Sequence, residues 1–481
     1  MNDRLIDVAV IGGGIAGLAA AYELQQRGVD ARLLEATPRP GGVIRTDRVD
    51  GWVIDAGPDA LLVHKPAALE LCRALGLEDR LISTLLPRTA YVLREGRLCR
   101  LVEGSYLGFP VGLVALALSP LFSWAGKIRM ACEIAIPGAE RDEDESIASF
   151  VRRRFGGEAV EYLAEPLLAG IHAGDAERLS MSALFPQLLA AERQGGSVLR
   201  SARALRMRPS PRGAFVSLPG GIGELVDSVA AALRPGSLQL SSRVTQVRRG
   251  PASTSAKASA DRKAGHDGPL EFTVESERGA LHARAIILTL PGYAAAGVLR
   301  GLDTTLSDLC GSMPYASTAT VAFGYRRDQI RHPLNGSGFV VPRAESSPLL
   351  AATWVTSKWP GRAPGGHALL RAFVGGARDP KRLEDSDDRL IDTAAAALAD
   401  VLEIDGPPVL TRLYRFPDQS PQYEVGHLQR VEAIEQRAAS IPGLFFAGSG
   451  VRAIGIPDCI ADGRAAATRA AAYAGRVPRR D

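Results

Sequence analysis

The chain has 481 residues, 46% of them apolar, and 57 Lys and Arg against 53 Asp and Glu leave a net charge of +4. That length exceeds what one hydrophobic core supports and predicts two or three domains, while so small a charge bias points away from nucleic acid as a partner. Five cysteines without a C-x-x-C pair fit the reduced thiols of a cytosol and present no metal-ligand spacing. No basic segment precedes the first apolar run, so no signal peptide is read and a cytoplasmic location is expected.

Residues 8–35 organise the rest: an apolar strand over 8–11, a glycine turn, an alanine-rich helix ended by Gly28, and a second strand closing on Glu35. Gly12, Gly14 and Gly17 stand at G-x-G-x-x-G spacing, which gives a tight turn, close approach of a pyrophosphate to backbone, and contact of helix with strand. Ile15 and Ala16 open a helix whose N-terminus faces the phosphates. Glu35, 18 residues past Gly17 and followed by Ala36, ends the second strand where a carboxylate accepts hydrogen bonds from adenosine ribose hydroxyls. It would repel a 2′-phosphate, which argues against NADP.

A second glycine turn follows, with Arg39, Gly41, Gly42, Arg45 and Thr46 supplying cations and hydroxyls for the far phosphate and flavin side of a long dinucleotide. The Asp55-Ala56-Gly57-Pro58 turn, continuing into Asp59 and Ala60, ends a short strand and can lay backbone against an isoalloxazine ring. Together these turns resemble those of the flavoprotein amine oxidase superfamily, which implies FAD as cofactor.

Between Glu103 and Lys127 lie 23 residues without charge, interrupted by Gly108, Pro110, Gly112 and Pro120. Three readings stay open: a spanning helix, a buried or cavity-lining helical hairpin, and a monotopic surface that dips into a bilayer. The following segment has acidic residues at a helix start, a helical apolar period and a Gly156-Gly157 stop, and so reads as an all-helical insert. Six arginines (193, 200, 203, 206, 208 and 212) then form either a solvated loop or a cationic rim for a carboxylate-bearing substrate.

The nucleotide fold resumes with a helix over 220–233 and an alternating strand in which Val244 stands where backbone can pair with adenine. Residues 251–269 are polar and of low complexity, and read as a hairpin tip. From 293 to 418 strand-rich stretches with one helix over 387–402 predict a mixed sheet beside the flavin. The C-terminal strand, with glycines around Gly448, and a long helix begun at Ile454, Gly455 and Ile456 present a second helix N-terminus to a reduced flavin, or pack as a plain terminal helix.

Five words, EPLLAGIHAGD (165–175), FPQLLAAE (185–192), GSGFVVP (336–342), PQYEVGHLQR (421–430) and GIPDCI (455–460), make nearly the whole chain resemble the FAD-dependent porphyrinogen oxidases of haem biosynthesis. GSGFVVPR with residues 352–375 is more similar to the coproporphyrinogen-using branch, where Lys65 matches a lysine and is counted with Arg88 among the substrate-binding cations expected to meet propionates. The resemblance implies an α/β chain (α+β overall). It would combine a Rossmann-like FAD-binding domain assembled from 1–90, 214–292 and 440–481, a helical, membrane-facing or buried insert over 91–213, and a mixed-sheet substrate domain over 293–439. It implies six-electron oxidation of coproporphyrinogen III to coproporphyrin III, with molecular oxygen reduced to hydrogen peroxide. Protoporphyrinogen oxidation, another amine-oxidase-type reaction and a non-catalytic flavin-binding role are the alternatives.

By the same resemblance Gly170 is the glycine whose carbonyl faces the macrocycle, and Arg88 pairs with a propionate unless it is a plain surface arginine. Ser337 stands where relatives stack a phenylalanine, with Phe339 two residues on, and Phe416 replaces a flavin-edge tryptophan. Val451-Arg452-Ala453 departs from the usual flavin-side step, and Arg452 is expected to bring a cation near the flavin or a propionate. Peripheral membrane contact and hand-off of product to a ferrochelatase-type enzyme are left open.

Overall fold

The computed structural model describes residues 5–101, 105–106, 109–110, 112–139, 143–204, 213–251 and 270–476. Its first sheet runs in the order Leu238–Gln239, Ala31–Leu34, Ile6–Ile11, Gly279–Leu288, Leu270–Ser276 and Val244–Pro251, with Leu444–Phe446 also paired to Gly279–Leu288. The strands from Leu238–Gln239 to Gly279–Leu288, and Leu444–Phe446, are mutually parallel. Such a sheet needs cover on both faces, and Ile6–Ile11 is buried throughout. Val8 and Val10 pack toward helices Ile15–Gln26, Gly223–Ala232 and Ile456–Arg476. Ile6, Ala9 and Ile11 pack toward Gly292–Leu299, Thr304–Gly311 and His427–Ala439. The helices from the two chain ends cross so closely that a Cβ on Gly463 would strike the Ala16 carbonyl oxygen.

The alternating stretch expected as one strand is two. Leu238–Gln239 joins the parallel edge, Ser241 takes a positive φ of 49°, and Val244–Pro251 then turns into an antiparallel meander. Pro251 pairs with Leu270, so the low-complexity stretch bridges a hairpin; its residues 252–269 lie outside the described set.

The second large sheet has the order Leu410–Pro421, Tyr315–Arg326, His367–Gly375, Leu349–Trp354, Gly338–Val340, Ala90–Arg94 and Arg97–Arg100. Only Gly338–Val340 with Ala90–Arg94 is parallel. The hairpin over 90–100, which the sequence leaves at the edge of the insert, therefore completes the mixed sheet. One face of this sheet is covered by Asp387–Leu402, whose Leu390, Ala394, Leu398 and Leu402 repeat every four residues and are fully buried.

The insert is helical from Leu113–Leu118 to Val198–Ala204, around Phe150, Phe155, Leu163 and Leu188. The buried Arg154 and Glu133 pair with each other inside it, and Ser197 and the Val198 N–H also donate to Glu133. Pro166 lies in a π-helix over Val160–Ala169, where its missing N–H removes one ordinary helical bond.

Candidate functional site

Three turns from distant parts of the chain meet at the end of the parallel strands. Gly12, at φ 110°, closes the first, and a Cβ on Gly17 would collide with the Gly12 carbonyl oxygen. The Glu35 carboxylate is buried, accepting the Gly13 N–H at 2.6 Å and the Thr37 N–H and hydroxyl at 2.8 and 2.7 Å. The second turn lies on the first: the Gly41 N–H donates to the Gly13 carbonyl at 2.7 Å. Arg39 holds it closed by donating to the Pro40, Gly42 and Ile44 carbonyls. Burial pushes the Arg39 pKa down.

Between these turns Gly14 caps helix Ile15–Gln26 with no side-chain acceptor for the helix N–H groups, and a Cβ on Gly14 would meet nothing within 4 Å. Orphan N–H groups opening on free space make an anion site. The residues present thus fit a dinucleotide, with Gly14, Ile15, Ala16 and Gly42 the residues that could hold its phosphates and Glu35 and Ala36 those that could hold its ribose. Val244 is brought to that end because the Ser242 N–H donates to the Glu35 carbonyl at 2.8 Å.

The Gly57-Pro58-Asp59-Ala60 turn is locked by side chains from the mixed sheet and from the short helix Val355–Lys358 and its C-cap. Arg371 donates to the Asp55 carbonyl and, at 3.0 Å, to the Gly57 carbonyl. Lys358 contacts both Asp59 oxygens at 3.0 Å, and Trp359 Nε1 donates to Asp59 at 3.3 Å. Burial alone would raise Asp59, yet Lys358 and Arg371 hold its carboxyl well below the usual carboxylate range. Asp55, by contrast, is pushed up by burial, with Arg362 opposing at 3.4 Å. The Phe416 ring comes within 3.8 Å of where a Gly57 Cβ would stand, so the two expected flavin-side groups do meet. Arg371, Lys358, Trp359 and Arg362 escaped the sequence reading. The available signal was a cation in the otherwise apolar strand His367–Gly375.

The third turn joins the first at Gly448, whose Cβ would lie 3.0 Å from the Ala16 Cβ, and the Gly448 N–H donates to Asp462 at 2.8 Å. Here the expectation for Arg452 is overturned. Its guanidinium turns back onto Asp462 at 2.9 Å, Glu435 at 2.7 Å and the Phe446 carbonyl at 2.8 Å, so its charge is spent within the fold. Ile454, Gly455 and Ile456 lead into the terminal helix, where Asp458 accepts Lys65 Nζ at 2.6 Å. Lys65 is thus paired rather than a lone cation for substrate.

The face of the mixed sheet away from Asp387–Leu402 carries one register row: Val340, Ala351, Phe373, Thr320 and Tyr414. Val340 packs under the helical insert, while Tyr414 hydrogen-bonds Asp47 of the nucleotide-binding unit at 2.8 Å. Ala351 and Phe373 between them are half-buried. The Gly170–His172 turn is tied to residues just past two strands of this sheet: the Ala377 N–H donates to the Ala173 carbonyl at 2.8 Å, and Gln422 Nε2 donates to the His172 carbonyl at 3.0 Å. The Gly170 carbonyl accepts the Ala173 N–H at 3.0 Å, which uses one of its two lone pairs.

Phe339 does not belong to this row. It is 2% exposed and packs with Tyr91 under helix Asp387–Leu402, because strand alternation gives the opposite face to Gly338 and Val340. Ser337 is fixed through its backbone, donating to the Thr89 carbonyl and accepting from the Trp354 N–H. Arg88 is exposed, lies against Gly213, and donates only to the Thr84 carbonyl among the described residues. Of the arginine run, Arg200 donates to the Ile134 and Gly195 carbonyls, and Arg193 lines a separate hollow with Glu143, Asp144 and Glu145. Arg206, Arg208 and Arg212 lie outside the described residues, as does the Arg203 side chain.

The uncharged stretch is neither a span nor a wholly buried hairpin. Leu113–Leu118 has six residues, and no helix among the described residues is long and apolar enough to cross a membrane. Leu116, Leu121, Phe122 and Met130 enter the insert core, but Leu113, Val114, Leu118, Trp124 and Ile128 stay between 53% and 79% exposed. Lys127 lies 4.5 Å over the Trp124 ring.

The sequence profile of flavin-containing amine oxidoreductases matches residues 15–471. The chain is 36% identical to the coproporphyrinogen III oxidase of Bacillus subtilis (strain 168), covering 98% of this chain and 99% of that one. It is 28% identical to the chloroplastic protoporphyrinogen oxidase of Nicotiana tabacum, covering 95% and 83%. A crystal structure assigned as a protoporphyrinogen oxidase from Exiguobacterium sp. 255-15 superposes with a TM-score of 0.83 at 28% identity, covering 98% and 99%.

Proposed function

The chain belongs to the flavin-containing amine oxidoreductase family, and from that premise we propose that it is an FAD enzyme that oxidises coproporphyrinogen III to coproporphyrin III. Electrons pass finally to molecular oxygen, giving hydrogen peroxide. The observation that carries the reading is the full-length match to a coproporphyrinogen III oxidase, 36% identical over 98% of this chain, on a chain whose glycine turns fit a dinucleotide. Bound FAD supplies the two-electron acceptor, so the protein needs to orient the substrate and exclude water rather than provide a strong base.

In this reading Gly14, Gly42, Glu35 and Val244 hold the nucleotide. Gly57, Pro58, Asp59, Ala60, Phe416, Gly448, Gly455 and Ile456 border the ring. The Gly170 carbonyl dipole favours positive charge developing on the macrocycle. Arg88, without a carboxylate partner among the described residues, is the cation offered to a propionate, a contact worth about 1.5–3 kcal/mol when shielded from water. Coproporphyrinogen, with four propionates against two for protoporphyrinogen, gains more from such cations. Both substrates given to the purified enzyme in air test the ranking. Faster formation of coproporphyrin supports it, and faster formation of protoporphyrin reverses it.

A specific observation favours peripheral contact with a bilayer: two short helices present five large apolar side chains outward, with no acidic residue between Glu103 and Glu133. Co-sedimentation with vesicles containing anionic lipid tests it, and a protein that stays in the supernatant contradicts it.

A further inference from the structure

Behind the Gly57-Pro58-Asp59-Ala60 turn five charged side chains are buried together. Arg362 and Arg371 are 1% and 4% exposed, Asp55 and Asp59 are buried, and Lys358 reaches in beside them. Lys358 takes both Asp59 oxygens at 3.0 Å, with Arg371 at 3.6 Å. Asp55 has Arg362 at 3.4 Å and also accepts the Thr46 hydroxyl at 2.5 Å and the Ile222 N–H at 2.8 Å. Three cations thus face two carboxylates, and the Nε–H of Arg362 and that of Arg371 find no acceptor among the described residues. The neighbouring pairs, Arg45 with Asp47 and Arg48 with Asp227, balance one for one nearer the surface. The surplus is a whole positive charge held away from water, and the burial that pushes the Asp55 pKa up can only enlarge it.

The cluster adjoins the anion site. A Cβ on Gly42 would stand 3.5 Å from the Gly14 Cα, and a Cβ on Gly57 would strike the carbonyl oxygen of the next residue, Val43. The Ala56 N–H also donates to the Arg45 carbonyl at 2.9 Å. A dinucleotide with its phosphates at Gly14 and Gly42 therefore lies within the field of these charges.

We propose that the surplus positive charge of Lys358, Arg362 and Arg371 over Asp55 and Asp59 makes the bound flavin easier to reduce. The inference rests on the reading that places the ring at Gly57, Pro58, Asp59 and Ala60. The oxidised ring is neutral, and the ring that has gained two electrons and one proton from substrate carries a single negative charge. A fixed cation behind it lowers the energy of the reduced form and leaves the oxidised form nearly unchanged. One unit charge roughly 10 Å away, at an effective dielectric constant of about 20, shifts the balance between the two forms by about tenfold. No contact with the ring is required, so these are positioning residues rather than catalytic ones. Arg371 ties the charge to the turn through the Asp55 and Gly57 carbonyls.

The test is the midpoint potential of FAD bound to the holoenzyme, read by absorbance during reductive titration with a reference dye. Lys358→Met should shift the balance toward oxidised flavin by about tenfold, a fall of about 30 mV for a two-electron couple. Asp59→Asn removes a negative charge from the same cluster and should raise the potential by a similar amount, while Lys358→Arg should keep the wild-type value. Opposite signs identify the field, because loosened packing would move both variants the same way. The wild-type protein supplies an arm that needs no variant: its flavin should be reduced at a higher potential than free FAD. A wild-type potential below that of free FAD, a shift of less than threefold in Lys358→Met, or a fall in Asp59→Asn overturns the proposal. A wild-type protein that takes up no FAD, or whose flavin coproporphyrinogen III leaves oxidised, refutes the functional reading itself, which separates the two failures.

Discussion

Replacing Gly14 by Ala separates the needs of the ligand from those of the fold. Gly14 has φ −66° and ψ 176°, extended backbone that alanine adopts freely, and its Cβ would meet no protein atom within 4 Å. The apoprotein should fold as before, or gain about 0.4–1 kcal/mol from a stiffer unfolded chain. The new methyl occupies the space beside the uncapped helix N–H groups that a pyrophosphate must reach. Losing one or two charge-assisted bonds, each about 1.5–3 kcal/mol, weakens FAD binding by about 10- to 10⁴-fold. Calorimetric titration of apoprotein with FAD and thermal unfolding of the apoprotein read the two effects separately. Gly17→Ala is the contrast: its Cβ strikes the Gly12 carbonyl, so the apoprotein itself should lose stability. A Gly14→Ala protein that takes up FAD with wild-type affinity would refute the location of the phosphate site.

Arg371→Met should cost about 3–5 kcal/mol, as expected when one partner of a buried charge network is removed, and should lower the temperature at which flavin fluorescence appears. Asp59, held below the ordinary carboxylate range, contributes stability that is present above the unfolded-state pKa and lost as pH falls through the lower folded value. Asp59→Asn should accordingly flatten the acid limb of a stability-against-pH curve. Arg88→Met should raise KM for coproporphyrinogen III more than it lowers kcat, read from steady-state porphyrin fluorescence. Leu118→Glu together with Trp124→Glu should abolish sedimentation with anionic vesicles and leave oxidation of substrate in free solution unchanged.

The cofactor turns were legible because their chemistry is local: glycine spacing, a strand-ending acid and a helix start lie within residues 8–35, and the structure assembles them as expected. What supports them was not legible, since Arg371 and Asp59 lie far apart in sequence, as do Lys65 and Asp458. A charge in a strand announces that it needs a partner but not which one. Arg452 misled for the same reason, because the two carboxylates that absorb it come from separate helices. Phe339 misled through side-chain alternation, which cannot be assigned to a face until the covering helix Asp387–Leu402 is known. The uncharged stretch gave composition without direction, and only packing divides it into Leu116 and Phe122 inside and Val114 and Leu118 outside.

The central claim is that this chain uses bound FAD to oxidise a reduced tetrapyrrole. Anaerobic addition of coproporphyrinogen III to the yellow holoenzyme, followed by visible absorbance, tests it most directly. The account predicts loss of the oxidised flavin band, appearance of porphyrin as up to three flavin equivalents are reduced per macrocycle, and return of the yellow colour with hydrogen peroxide on admitting air. A flavin that stays oxidised in the presence of excess porphyrinogen would contradict it.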